Sequence, residues 1–213
     1  MRATPEDFPS QSWPEGPNRD ALRTRLLEQR IVMLGGPLDS VEAGVLMSQL
    51  LLLTSRDDRS EIRLYVNSPG GEAQEFFGIY DTMQNLAAPV VTICMSQAKG
   101  TAALVLAAGR PGKRLAFRHS SILLRLPEPR VEGSVDVETQ VQEARRQKGS
   151  LIAIVARHTG LSEENVDDLE RGLLLDAEEA KAHGVVDAVI DPGHPYFVPF
   201  SPPPRPGGNG GSS

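Results

Sequence analysis

The run Ile62-Arg63-Leu64-Tyr65-Val66-Asn67-Ser68-Pro69-Gly70-Gly71 decides how this chain folds. A strand-forming stretch from Ile62 to Asn67 meets a turn rich in proline and glycine, and an amphipathic stretch follows from Ala73 to Leu86. Within that stretch Phe76, Ile79, Tyr80, Met83 and Leu86 fall at three- and four-residue steps, which places them on one stripe of a helix. The same alternation stands on both sides: Ile31 to Leu34 before Ser40 to Leu53, and Val90 to Cys94 before Thr101 to Ala108. Strands alternating with amphipathic helices predict an α/β fold with a mostly parallel sheet. Asp39 and Asp176 stand immediately ahead of helical runs, where a carboxylate caps exposed backbone N–H groups, and Glu178 and Glu179 add acid to the first turn after Asp176.

Composition bounds the rest. A chain of 213 residues, 39% hydrophobic and 23% charged, can bury one ordinary core. With a net charge of −6 and no basic stripe, nucleic acid is not an expected partner. The single cysteine, Cys94, lies in the apolar run Val90-Val91-Thr92-Ile93-Cys94, so no disulfide framework and no Cys/His metal spacing is present. The N-terminus lacks the basic start and apolar run of a signal peptide, and no stretch approaches the ~20 apolar residues of a membrane span. A cytoplasmic location is expected. Residues 1–20 read as a flexible N-terminal segment, 21–190 as the domain, and 191–213 as a Pro/Gly-rich tail, largely disordered, whose Tyr196, Phe197 and Phe200 could anchor its first part. After Pro127, a polar stretch from Glu128 to Ser134 precedes one long helix from about Val135 to Arg157.

Several stretches taken together resemble the proteolytic subunit of the ATP-dependent Clp protease (ClpP). They are LLEQRIVML (Leu26 to Leu34), LYVNSPGG (Leu64 to Gly71), IYDTMQ (Ile79 to Gln84), TICMSQAKGTAALVLAAG (Thr92 to Gly109), GKRLA (Gly112 to Ala116) and DAEEAKAHGVVD (Asp176 to Asp187). The resemblance runs from Leu26 to Ile190. It implies a crotonase-like α/β fold of repeated ββα and βαβ units with a protruding handle, about residues 126–158, made of a strand and the long helix. It also implies a ring, heptameric or doubled to a tetradecamer, of this chain alone or mixed with active paralogues, and an AAA+ Clp ATPase as partner. Glu170-Arg171 matches the acid-Arg pair that the family uses where two rings meet. No cofactor is implied. The chain has no GxxxxGK[ST] run, so ATP would be handled by the partner.

The resemblance also implies a Ser-His-Asp triad, and the matching positions do not hold one. The serine position falls on Gly100, the histidine position on Arg125, two residues before Pro127, and the aspartate position on Gly172, five residues before Ala177. Glycine has nothing to acylate, and arginine stays protonated near neutral pH. A triad acts as a unit, so what survives its loss is about 10³ to 10⁴ over water, from oxyanion hole and binding. The family's oxyanion donors match Gly70, Gly71 and the N–H of Thr101, and Lys99 and Arg125 add cations, which together suit a carboxylate or phosphate. An equally plain reading of Ser68-Pro69-Gly70-Gly71 is a tight turn whose glycines are required by their dihedral angles.

Two functions follow as expectations. One is a catalytically inactive ring subunit or regulator of Clp proteolysis. The other is an enzyme with a rebuilt site: a peptidase using Thr101 or Ser96 with Lys99, or an acyl-transfer or acyl-CoA activity using the Gly70/Gly71 backbone. His119, Ser120 and Ser121 are read as turn and strand-start residues. His158 and His183 are read as cations favoured by the C-terminal end of a helix dipole.

Overall fold

The computed structural model describes residues 17–127, 136–162, 166–194 and Tyr196. Among the described residues fourteen elements follow one another, beginning with α1 (Pro17–Glu28), β1 (Ile31–Leu34), α2 (Ser40–Arg56), β2 (Ile62–Ser68) and α3 (Ala73–Asn85). Next come β3 (Val90–Lys99), α4 (Thr101–Ala107), β4 (Arg114–Phe117), β5 (Ser121–Leu124) and α5 (Val137–His158). The series closes with α6 (Val166–Arg171), β6 (Leu173–Leu175), α7 (Ala177–Ala182) and β7 (Ala188–Ile190). α1 crosses the boundary expected at residue 20. The strand half of the expected handle lies outside the described residues; its helix half is α5, which starts at Val137.

The main sheet has the order β1-β2-β3-β4-β7, parallel throughout, as the strand-helix alternation predicts. β3 forks. It pairs with β2 along one edge, from Val90 to Cys94 and again at Ala98; on the other edge Thr92 to Cys94 pair with β4, and Gln97 to Lys99 pair with β5 instead. β6 then lies antiparallel on β5. The fork explains why the apolar pattern stops at Cys94 while the strand continues to Lys99. Met95 and Ser96 are exposed there, so no hydrophobic face marks them as strand.

Alternation sets which side of the sheet each residue meets. Ile62, Leu64 and Val66 point toward α2, α3 and α4 and join one large core with Leu46, Leu50, Phe76, Ile79 and Leu104. Tyr65, Val91, Ile93, Leu115, Phe117, Ala188 and Ile190 point the other way and form a separate cluster. Caps fix where the helices begin. Asp39 accepts from Glu42 N at 2.8 Å, Asp136 from Thr139 N at 2.9 Å, and Asp176 completes a capping box with Glu179. Each such cap is worth ~1 kcal/mol.

Two arginines tie elements that are distant in sequence. Arg30 holds a left-handed backbone and donates to the carbonyls of Leu53, Asp57, Ser60 and Glu61, all at 2.9 to 3.1 Å. Arg114 grips Asp187 with its Nε, Nη2 and backbone N, and its Nη1 donates to the carbonyl of His158 at the end of α5. The expectation that His158 is a dipole-stabilised cation is corrected here. The ring is half-buried against Tyr80, whose hydroxyl lies 3.1 Å from Nε2; burial, then Arg114 and Arg157, push its pKa down and favour the neutral ring.

Candidate functional site

The site is built on two turns that touch. β3 ends at Lys99, and Gly100 makes the strand-to-helix turn with φ 52° and ψ −124° before α4 begins. Residues with a Cβ rarely hold that conformation, and glycine does so freely. A Cβ placed at Gly100 would find only the Arg125 carbonyl, at 4.0 Å, so the position has room for a side chain. The Gly100 N–H donates to Leu123 O at 2.9 Å, which fastens the turn to β5.

The second turn follows β2. Gly70 has φ +91°, and a Cβ there would stand 2.4 Å from Lys99 O; at Gly71 a Cβ would stand 1.9 Å from Leu38 O. Both glycines are required by backbone packed against backbone. Leu38 N donates to Gly70 O, and Glu72 N to Leu38 O, so the turn is held on its other side by a residue that no sequence pattern singled out.

Two of the three donors expected for an anion are used within the site itself. Gly70 N–H donates to Ser68 Oγ at 3.1 Å, and Gly71 N–H donates to Thr101 Oγ1 at 2.8 Å. Thr101 was expected to offer its N–H. Its hydroxyl also takes part, accepting the Gly71 N–H, and the residue is fully buried. Only the pairing of two turns far apart in sequence reveals this role.

Gly100, Arg125 and Gly172 converge. Gly172, with φ +92° at the end of α6, lies against Arg125, and a Cβ there would be 3.4 Å from Arg125 Cδ. Arg125 follows β5, and its own carbonyl is the group nearest the Gly100 position. Leu126 N donates to Leu169 O at 3.1 Å, which pins this segment to α6. The sequence places the three residues on three separate elements, and the fold brings them to one place.

A cavity of about 470 Å³ opens beside them, lined in part by Gly71, Lys99, Gly100, Thr101 and Arg125. A smaller groove of about 240 Å³ shares Arg125, Leu126 and Pro127 and runs to α5. Lys148 of α5 pairs there with Glu170, so the acid expected at a ring contact already has a cation in its own chain. Arg171 beside it is exposed.

The other candidates lie elsewhere. Ser96 is exposed in the fork of β3 and does not line the cavity, so it is not joined to Lys99 there. His119 is exposed in the turn before β5, and the buried Ser120 donates to Cys94 O at 3.0 Å. Burial pushes the Cys94 thiol up to about 11, which leaves it protonated at neutral pH. Among the described residues no group of three or more His, Cys, Asp or Glu side chains is placed to hold a metal ion. No described helix is long and apolar enough to cross a membrane.

A mostly parallel sheet carried between helices places the molecule among α/β proteins. The particular family follows from comparison with known sequences. The profile of the family described as Clp protease matches residues 15–193, and the chain belongs to that family. It is 46% identical over 169 residues to ATP-dependent Clp protease proteolytic subunit 2 of Frankia casuarinae, covering 78% of each chain. It is 44% identical over 169 residues to proteolytic subunit 3 of the same organism, covering 78% of this chain and 79% of that one.

Proposed function

We propose that this chain is a non-cleaving subunit of a cytoplasmic Clp proteolytic assembly, shaping rings that it forms alone or with active paralogues. The observation that carries the reading is the convergence of Gly100, Arg125 and Gly172. The positions that match a serine, a histidine and an aspartate are neighbours in space, yet none of the three residues is a nucleophile, a general base at neutral pH or an orienting carboxylate. Thr101 supports it further, because its hydroxyl takes the Gly71 N–H that a developing oxyanion would need. Nothing favours the rebuilt-enzyme alternative equally, since Ser96 stands outside the cavity and Thr101 is buried.

Assembly has its own support. Members of this family work as rings with Clp ATPases. α2 is apolar on two faces: Ala43, Leu46, Leu50 and Leu53 enter the core, while Val41 and Leu52 on the outer side remain 72% and 40% exposed. An open groove runs along that outer side past Gly44, Val45 and Ser48. Apolar residues repeated along an exposed helix suit packing against a neighbouring subunit.

The test is native mass of the pure protein, alone and mixed with an active Clp proteolytic subunit, with peptide hydrolysis followed in the same samples. A ring without hydrolysis, or a mixed ring with altered rate, is expected. A small species that cleaves peptide by itself would overturn the proposal.

A further inference from the structure

Strand register puts two cations on one wall of the cavity beside Gly100. Lys99 and Leu123 are partners across β3 and β5, and Arg125 stands two residues beyond Leu123, so alternation turns all three to the same side of the sheet. All three line the cavity of about 470 Å³, a volume in the range of small-ligand sites. Lys99 is half-buried, and no hydrogen bond or ion pair of its ammonium group occurs among the described residues. Arg125 carries five N–H donors and can hold several acceptors at once. One carboxylate, Glu72, also lines the cavity, so two positive charges stand against one negative among the described lining residues.

The donors that remain suit a full charge better than a dipole. A neutral peptide carbonyl is held by backbone N–H groups, and here those of Gly70 and Gly71 are already engaged by Ser68 Oγ and Thr101 Oγ1. Gly172, beside Leu123 and Arg125, adds no carboxylate to the wall. What the cavity offers is an ammonium and a guanidinium, whose hydrogen bonds to a carboxylate are about twice as strong as neutral ones. Leu123, Leu126 and Pro127 supply apolar surface next to them.

We propose that this cavity binds the free C-terminal carboxylate of a short peptide ending in an apolar residue, with Lys99 and Arg125 on the carboxylate and Leu123, Leu126 and Pro127 against the terminal side chain. The inference deepens the role of a non-cleaving subunit and rests on it for the source of the ligand. Hydrolysis by an active neighbour takes up one water, breaks one C–N bond and leaves one carboxylate and one amine. A peptide bond inside a chain carries no charge, so the two cations hold cut product and give no grip on the interior of an uncut chain.

The experiment is calorimetric titration of the full chain with an N-acetylated tripeptide ending in leucine, as the free acid and as the C-terminal amide, with inorganic phosphate as a further titrant. The acid is expected to bind tighter than the amide by about ten-fold or more. Lys99→Gln should remove that preference at an unchanged urea midpoint, and Lys99→Arg should keep it. Equal binding of acid and amide, no heat from either, or a preference that survives Lys99→Gln overturns the proposal. Phosphate binding as tightly as the peptide acid also overturns it, because the site then takes a free anion. Cleavage of a longer peptide amide in the same samples, read by mass, would instead overturn the non-cleaving role, so the two failures are told apart.

Discussion

Arg125 and Gly172 are neighbours across the β5–α6 junction, with Arg125 Cδ and Cβ 3.4 and 3.6 Å from where a Gly172 Cβ would stand. A carboxylate at 172 would thus meet whatever side chain stands at 125, and a hydroxyl at 100 has open space on the same side. Restoring one position alone restores no relay. Gly100→Ser, Arg125→His and Gly172→Asp singly are expected to stay unlabelled by a fluorophosphonate probe, and the triple variant to label. Each glycine replacement adds a Cβ at positive φ and should cost about 1–3 kcal/mol. Labelling of Gly100→Ser alone, at the rate of the triple, would refute the role assigned to Arg125 and Gly172.

Glycines in the site and in a helix should respond in opposite directions. Gly71→Ala forces a Cβ to within 1.9 Å of Leu38 O, backbone that cannot move aside cheaply, and should cost about 3 kcal/mol. Gly149 lies inside α5 with nothing within 4 Å of its added Cβ, so Gly149→Ala should stabilise by about 0.5–1 kcal/mol. Urea denaturation midpoints measure both.

The Thr101 hydroxyl can be removed without changing shape. Thr101→Val leaves the Gly71 N–H without its acceptor and should destabilise by about 1–3 kcal/mol, whereas Thr101→Ser keeps the oxygen and should lose less. Equal stability of the two variants would show that the contact contributes nothing.

His158 predicts a pH dependence. Its pKa in the folded chain lies below the ordinary value of 6.5, chiefly through burial, so the unfolded chain takes up the proton first as pH falls. The stabilisation is complete above pH 6.5 and is lost as pH drops through the folded-state value. His158→Gln keeps a partner for the Tyr80 hydroxyl without titrating. Its urea midpoint should change less between pH 7.5 and 5.5 than that of the parent, and parallel curves would contradict the neutral-ring assignment.

Much of the scaffold was legible because local pattern and tertiary role agree. The stripe of Phe76, Ile79, Tyr80 and Met83 is the buried face of α3, and Asp39 and Asp176 are caps. What the sequence withheld depends on partners brought from afar. His158 looks like a helix-end cation until Tyr80 and Arg114 surround it, and the Thr101 hydroxyl has no evident structural task until Gly71 arrives beside it. The far half of β3 was hidden for another reason: it pairs with β5 through a segment whose exposed Met95 and Ser96 carry no strand pattern.

The fork in β3 gives the molecule a crease. On one side lie β2 and the glycine-pair turn; on the other lie β5, β6 and the segment carrying Arg125, while Gly100 sits at the far end of the shared strand. The cavity lies beyond the carboxyl end of β3, between the turn after β2 and the segment after β5. Its two walls are therefore carried by strands that flank the same last residues of β3, so the spacing of the sheet itself, and not a mobile loop, sets how far apart they stand.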